Sequence, residues 1–293
     1  MKIECPIKGG RAEECGWNAR VGQVRDFPSI GVIQCQTCYL VTHAQDLSGD
    51  VNYEAGSMHV WAQGYGDSLP GPATDIARRV TSINSLATTN KKFSILDFGC
   101  GSGGMLSALS INYEVCGVEP DIYARETATS CGHKLFESAE NAISNNVKVD
   151  VVTLFHVIEH FYNASYELEK IYDLLNPGGL IIVETPNSMD ALLSKYQSLE
   201  FANFTYWSHH PMLHSHKSLE HLIERCGFKI IENSGVQRYD LNNHLYWMSS
   251  GHPGGHEIWK DFAPLVLVNE YAELLVSENI SDTLWVVAQK INT

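Results

Sequence analysis

The sequence predicts an open, doubly wound α/β sheet, and three observations carry that expectation. Short apolar runs of strand length alternate with segments whose apolar residues recur at helical spacing. The first of these runs, Ser94 to Phe98, ends in clustered glycines, as a buried parallel strand does where the chain must turn sharply. A chain of 293 residues that is 44% hydrophobic and 18% charged has material for one large domain plus a small appendage. We assign residues 90–293 to the large domain and residues 1–89, with a helical linker, to an N-terminal module.

The elements follow in order. After Ser94 to Phe98, Met105 to Ile111 reads as the first crossover helix and Tyr113 to Glu119 as the second strand. Tyr123 to Cys131 is a helix closed by Gly132, and Lys134 to Phe136 is a short third strand. Asp150 to His156 is the fourth strand. Ala164 to Leu175 has helical periodicity until Pro177-Gly-Gly stops it, and Leu180 to Thr185 is the fifth strand. A helix from Leu219 to Cys226 ends at Gly227. Phe228 to Val236 and Leu284 to Ile291 complete seven strands. A segment near 242–279 is extra to this plan and is expected on the substrate side.

Composition excludes some classes of function. The formal net charge of −14 argues against a protein that grips nucleic acid, which needs clustered Lys and Arg. No apolar run reaches the roughly 20 residues that span a bilayer, and Met1 to Cys5 lacks the layout of a secretory signal, so a cytoplasmic protein is expected. Eight cysteines in such a compartment read as thiols or metal ligands rather than a disulfide framework.

The run Ser94-Ile-Leu-Asp-Phe-Gly-Cys-Gly-Ser-Gly-Gly-Met-Leu106 reads as a nucleotide-binding turn, with glycines where a Cβ would collide and helix amides facing the ligand. Gly99, Gly101 and Gly104 also satisfy the dinucleotide pattern, with Glu119 about 20 residues on, so a nicotinamide-dependent oxidoreductase stays open from this stretch alone. Asp97 ahead of the glycines and the later Leu174-Leu-Asn-Pro-Gly-Gly-Leu-Ile-Ile-Val-Glu-Thr-Pro-Asn187 add context. Together, from about Phe93 onward, these stretches resemble the class I S-adenosylmethionine-dependent methyltransferases.

The resemblance implies a Rossmann-like, seven-stranded, mostly parallel sheet whose final strand enters antiparallel. It implies S-adenosylmethionine as cofactor, with Gly99, Gly101 and Gly103 approaching its amino-acid and ribose portions. Asp97 would act near its ammonium, Glu119 would bind the ribose hydroxyls, and Ser138, Ala139 and Glu140 would meet the adenine. Phe155 and His156 would lie beside the transferred methyl.

His156-Val-Ile-Glu-His160 could present two imidazoles and a carboxylate on one helix face. A comparable Glu-x-x-Glu-His arrangement binds a catalytic divalent metal in some quinone-pathway O-methyltransferases, although His156 here replaces the first Glu. The bland alternative is that Glu159 and His160 bond backbone in a sharp turn.

Tyr206-Trp-Ser-His-His-Pro-Met-Leu-His-Ser-His216 is expected above the carboxyl edge of the sheet, with rings to pack on an acceptor and imidazoles to take its proton. This stretch resembles methyltransferases acting on sugars, and alignment on Ser218-Leu-Glu-His-Leu222 points to His210 as base, with His209 beside it. Asn242 to His256 reads as a rim over the acceptor, or as cover for the sheet edge.

Cys5, Cys15, Cys35 and Cys38 form a candidate structural zinc site, because Cys35-Gln-Thr-Cys38 lets one turn offer two sulfurs to a tetrahedral ion. A related N-terminal module occurs in sugar C-methyltransferases. The expected activity is therefore O-methylation of a sugar hydroxyl on a nucleotide-linked sugar or surface-polysaccharide precursor. C-methylation of a keto-sugar, O-methylation of a quinone- or phenol-type small molecule, and a non-catalytic adaptor are the alternatives.

Overall fold

The computed structural model describes Cys5 and residues 15–49, 72–86 and 93–291. The strands are β1 (Trp17–Val24), β2 (Phe27–Cys35), β3 (Val41–His43), β4 (Ser94–Phe98), β5 (Glu114–Val118), β6 (Lys134–Phe136), β7 (Val149–Phe155), β8 (Leu175–Pro186), β9 (Met212–Leu213), β10 (Phe228–Val236) and β11 (Thr283–Lys290). Seven of them form one sheet in the order β10-β11-β8-β7-β4-β5-β6. Neighbours from β8 to β6 run parallel, whereas β11 lies antiparallel between β8 and β10. This is the expected Rossmann-like fold.

Strand residues alternate between two buried layers, which is why these runs read as continuously apolar. Leu96, Val152, Leu154, Ile181 and Val286 pack with Leu168, Ile171, Leu219 and Leu222 of helices Ala164–Leu174 and His216–Arg225. Ile95, Val151, Ile182 and Val287 face the other way, where Ile76, Val80 and Ile83 of helix Pro72–Leu86 cover them. That helix, which the sequence reading counted as a linker, packs on the large sheet. Order in the sheet reverses between β4 and β7, so their carboxyl ends open a crevice where ligands bind in such folds.

Two local details differ from expectation. Pro177-Gly-Gly does not precede the fifth strand but lies inside β8, whose register with β7 slips between Val149 and Val151. The slip is held by Asn176 Nδ2 donating to Asp150 Oδ1 at 2.9 Å. The helix expected from Leu219 begins three residues earlier, at His216, because Ser215 and Ser218 form a reciprocal capping box.

β1, β2, β3 and β9 form a second, antiparallel sheet. Its fourth strand comes from far along the chain: Val41 and Thr42 pair with Leu213 and Met212. Further bonds fasten the same stretch, including Arg25 N to Tyr206 O at 2.7 Å and Thr42 Oγ1 to Pro211 O at 2.8 Å. The His43 ring meets Trp207 O at 3.0 Å. Among the described residues, no helix is long and apolar enough to cross a membrane.

Gly22 lies where β1 bends against helix Leu199–Thr205, at φ 113°, and a Cβ there would come within 2.8 Å of Tyr206 and 2.9 Å of Ala202. Gly22→Val combines backbone strain with overpacking and is expected to cost about 1–3 kcal/mol. Scanning calorimetry should show a melting temperature several degrees lower; an unchanged value would detach this contact from stability.

Candidate functional site

After β4 the chain turns through Gly99, Gly101 and Gly103, all at positive φ, into helix Gly104–Leu109. A Cβ on Gly99 would lie 2.6 Å from Val157, whereas one on Gly101 would meet nothing within 4 Å. The turn is thus packed on one side and open on the other, as a ligand-facing loop must be. Glu119 follows β5, nearly buried, and accepts from Gly101 N at 2.8 Å and Asp121 N at 2.9 Å. Each carboxylate oxygen keeps a lone pair for a further donor. Asp97 is buried and accepts from Thr153 Oγ1 at 2.6 Å, and burial lifts its carboxyl to about 6. The open lone pairs of Glu119 and the carboxyl of Asp97 are the groups that would hold the ribose and the ammonium of an S-adenosylmethionine cofactor.

The remaining cofactor candidates divide. Ser138 caps helix Ala139–Ser144, and Ala139 is buried at its start beside β6. Glu140 pairs with Lys170, and its carboxyl is directed to helix Ala164–Leu174. Phe155 stacks on Trp285 with ring centroids 6.0 Å apart, and the Arg79 guanidinium lies over its ring at 4.6 Å.

At the carboxyl ends of β7 and β8 lies a buried ion network. Glu184 has no exposed surface and pairs with Arg79 at 2.6 Å and Arg78 at 2.8 Å. His156 adopts a left-handed φ of 57°, with Nδ1 3.3 Å from Glu159 Oε1. Its Nε2 lies 3.3 Å from Glu184 Oε1 and 3.1 Å from Arg238 Nη1. Arg238 is held in turn by Asp75, Nε to Oδ2 at 3.1 Å. Burial and the Arg238 charge press the imidazole pKa down, and the two carboxylates outweigh them and raise it. Burial pushes Glu159 up, but His156, His160 and His210 bring it down to about 2. Glu184 is held far below the usual carboxylate range, with His156, Arg78 and Arg79 overcoming its burial. Sequence reasoning missed Glu184, Arg78, Arg79, Asp75 and Arg238. A glutamate inside the apolar run Leu180 to Thr185 was the available signal, because buried carboxylates occur where partners are supplied.

Beyond this network opens a cavity of about 340 Å³. Phe201, Phe204, Trp207, Trp247, Leu192 and Leu193 give it apolar walls, and His156, Glu159, His160 and His210 are among its polar lining. The ligand atoms of Glu159, His160 and His210 lie within 4.8 Å of one another. Burial, the charge of a protonated His160 and Arg25 push His210 well below the usual histidine range, so its ring is neutral near pH 7.

The expected wall of four histidines is not one wall. His210 lines the cavity, but His209 stacks flat on Trp207 at 4.1 Å and is absent from the lining. His214 is fully buried against Ser218, and His216 faces Asn233 Oδ1 at 2.6 Å. The capping box turns the chain inward at Ser215, so successive imidazoles point to different partners. The segment after Asn242 does form a rim: Asn243, His244, Trp247 and His256 line the cavity, while Leu245 is exposed and Trp259 stacks on Phe262.

In the N-terminal sheet the thiols of Cys5, Cys35 and Cys38 are buried together, with Cys5 Sγ 3.6 Å from Cys35 and 3.4 Å from Cys38. Cys15 Sγ lies 3.5 Å from Cys5. Thiolates on one tetrahedral zinc ion stand about 3.8 Å apart; the sulfurs of Cys5, Cys35 and Cys38 all lie within 4.8 Å of one another, whereas Cys15 approaches Cys5 but falls outside that group.

Residues 74–233, more than half of the chain, match the family described as a methyltransferase domain. A ubiquinone biosynthesis O-methyltransferase of Colwellia psychrerythraea is 28% identical over 156 residues, 48% of this chain and 63% of that protein. The mitochondrial enzyme of that name from Rattus norvegicus is 25% identical over 171 residues, 52% of this chain and 49% of its own. The chain thus spans about half to two thirds of the length of these relatives. Among solved structures, an S-adenosylmethionine-dependent methyltransferase from Archaeoglobus fulgidus superposes with a TM-score of 0.54 at 15% identity, over 80% of this chain and all of that one. A Thermotoga maritima methyltransferase gives 0.51 at 16% identity, over 80% and 96%.

Glu184→Gln removes the charge that holds two guanidiniums near the sheet edge. Breaking such a buried pair from one side is expected to cost about 3–5 kcal/mol. Urea unfolding should show a lower midpoint with an unchanged slope; a midpoint equal to that of the parent protein would mean that Arg78 and Arg79 find other partners at no cost.

Proposed function

Because the chain belongs to the methyltransferase-domain family, we propose that it transfers a methyl group from S-adenosylmethionine to a hydroxyl of a small, ring-bearing acceptor in the cavity. Family membership argues against the nicotinamide-dependent alternative that the glycine pattern had left open. The observation that carries the proposal is the cavity itself, which joins the carboxyl ends of β7 and β8 and presents the neutral His210 to its occupant. Its aromatic and aliphatic walls, and the names of the curated relatives, favour a phenol- or quinone-type acceptor over the sugar expected from the histidine-rich segment.

When bound, the cofactor supplies a methyl group already activated by its sulfonium. The chain's own residues bind, orient and manage one proton. Gly101 and Glu119 receive the ribose side, and Asp97 receives the ammonium. Trp207, Phe204 and Trp247 pack the acceptor ring so that its hydroxyl reaches His210. His210, neutral and lining the cavity, takes the hydroxyl proton as methyl transfer makes it acidic.

A second reading has its own observation, the convergence of Glu159, His160 and His210. These three would hold a divalent cation, which would lower the pKa of the acceptor hydroxyl instead. We also propose that Cys5, Cys35 and Cys38, with Cys15 as the fourth ligand, hold structural zinc, on the strength of the clustering of the first three sulfurs and the approach of Cys15 to Cys5.

His210→Ala should lower kcat by about 10²–10⁴-fold and leave the affinity for S-adenosylmethionine, measured by calorimetry, where it was. Turnover at the parental rate would remove His210 from the reaction. Activity that persists in chelator supports the base; activity lost in chelator and restored by Mg²⁺ or Zn²⁺ supports the metal.

Asp97→Asn is expected to weaken cofactor binding by roughly 10–100-fold, the value of a hydrogen bond to a charged group. Its effect on stability has the opposite sign. The folded carboxyl titrates near 6, above the ordinary value of 3.8, so ionisation destabilises the fold increasingly as pH rises from 4 to 6. Denaturation at pH 7 should therefore find the unliganded variant no less stable than the parent. Equal cofactor affinity in the two proteins would separate Asp97 from the ligand.

A further inference from the structure

Part of the cavity lining carries polar atoms that the methyl-transfer chemistry does not use. Tyr239 follows β10, and Asn243 lies about one turn further on, in helix Leu241–Ser250. Both line the cavity, as does His256. The rings of Tyr239 and His256 meet edge to face with centroids 5.8 Å apart. Gly255 lets the chain before His256 close on Asn243, since a Cβ there would lie 2.8 Å from Asn243 Cα. The three residues therefore form one patch. Contacts between it and His210 run through Arg238, His156 and Glu159.

Two of these residues offer a hydrogen-bond donor to an occupant. Asn243 is 3% exposed, and its Oδ1 is buried, whereas Nδ2 keeps accessible surface and meets no acceptor among the described residues. Exchanging the two atoms would bury N–H groups in place of one oxygen, a costlier arrangement, so the amide turns its donors to the cavity. Tyr239 Oη also keeps accessible surface and bonds no described residue. Burial, opposed by Arg238 and aided by Asp282 and Asp75, pushes its phenol well up, so the hydroxyl keeps its proton. Charge is already matched beside the patch. Arg238, 5.6 Å from the Tyr239 ring centroid, gives Nε to Asp75 Oδ1 at 3.2 Å and Oδ2 at 3.1 Å. An ammonium there would face that guanidinium, and a carboxylate would bring an unmatched charge into a largely apolar cavity. An uncharged oxygen meets neither penalty.

Resting on the acceptor role given to the cavity above, we propose that Tyr239 and Asn243 form a specificity subsite that donates hydrogen bonds to an uncharged carbonyl oxygen, of a ketone, ester or amide, on the acceptor molecule apart from the methylated hydroxyl. The acceptor then carries two oxygens of different kind, one that gives up a proton near His210 and one that only receives. A site built to bond such an oxygen rejects the analogue that lacks it, since the enclosed donors are left unpaired.

The test uses the whole chain with four probes: 4-butylphenol, 4-(4-hydroxyphenyl)butan-2-one, 3-(4-hydroxyphenyl)propanoate and 4-(3-aminopropyl)phenol. Calorimetric binding should favour the ketone over the butyl, carboxylate and amine compounds by roughly 10-fold. Tyr239→Phe removes one hydroxyl and nothing else, and should lower the ratio of ketone to butyl affinity by about 3- to 10-fold. A purely structural role would weaken both probes together and keep the ratio. Asn243→Leu, close in volume, should reduce the same ratio and serves if Tyr239→Phe does not fold. Equal affinity for the ketone and butyl probes in the parent, tighter binding of the carboxylate or the amine than of the ketone, or an unchanged ratio in either folded variant overturns the proposal. Binding is read without turnover: selective binding with no methylation would refute the proposed reaction alone, and methylation without selectivity would refute the subsite alone.

Discussion

A carboxylate with no exposed surface at the end of a parallel strand constrains most of what surrounds it. Glu184 must remain charged or lose its partners, and an unpaired charge there would cost several kcal/mol. Two guanidiniums from helix Pro72–Leu86 answer that demand, which fixes the helix across the sheet where Ile76, Val80 and Ile83 also bury their side chains. His156 completes the set from β7, and reaching Glu184 and Glu159 together holds it in a backbone conformation that a non-glycine residue rarely adopts. The strain is of the kind that surrounding structure over-determines at functional sites. Through Arg238, which bonds Asp75 and meets His156, the network reaches the cavity lining, so helix Pro72–Leu86, the sheet edge and the cavity share one electrostatic frame.

The second frame is the N-terminal sheet. A segment carrying Trp207, His209 and His210 has little secondary structure of its own, and holding it by itself would cost backbone entropy of about 1–2 kcal/mol per residue. Pairing of β3 with β9 supplies that order from outside, helped by Asp26 at Ser208 and by His43 at Trp207. The cysteine knuckle lies on the same sheet, and Met212 of β9 packs against its sulfurs. Stability of the knuckle and position of the acceptor wall are thereby coupled through one short strand.

What was legible in the sequence was what local pattern determines. Apolar runs such as Ile95-Leu96 and Val151-Val152 face two layers at once, so they read as buried parallel strands, and the glycine turn and Glu119 sit where the spacing put them. What was not legible depends on partners distant in the chain. β9 is two residues long and exists only because β3 is there, more than 160 residues earlier in the sequence. The histidine-rich stretch looked uniform, yet backbone direction after Pro211 and the cap at Ser215 send His210, His214 and His216 to a cavity, a core and a strand. Glu184 sits inside the Leu174 to Asn187 stretch with nothing there to name its partners, and Arg238 belongs to no motif. Their importance arises from burial, which composition cannot report.

The pKa pattern across the site follows from the same geometry and bears on how the proposed base, His210, would take a proton from the proposed acceptor. Glu159 and Glu184 are stabilised as anions by the cations around them, so neither serves as a proton acceptor near neutrality. His210 stands in the opposite environment, desolvated and close to other positive groups, and remains neutral. A base of depressed pKa gives little driving force against a resting phenol. It becomes effective only as positive charge arrives on the acceptor oxygen, when the hydroxyl turns strongly acidic. Such a base leaves the acceptor protonated while it binds and removes the proton late, and the charge it then acquires lies next to Glu159, whose carboxylate lowers the cost of an imidazolium in a dry cavity.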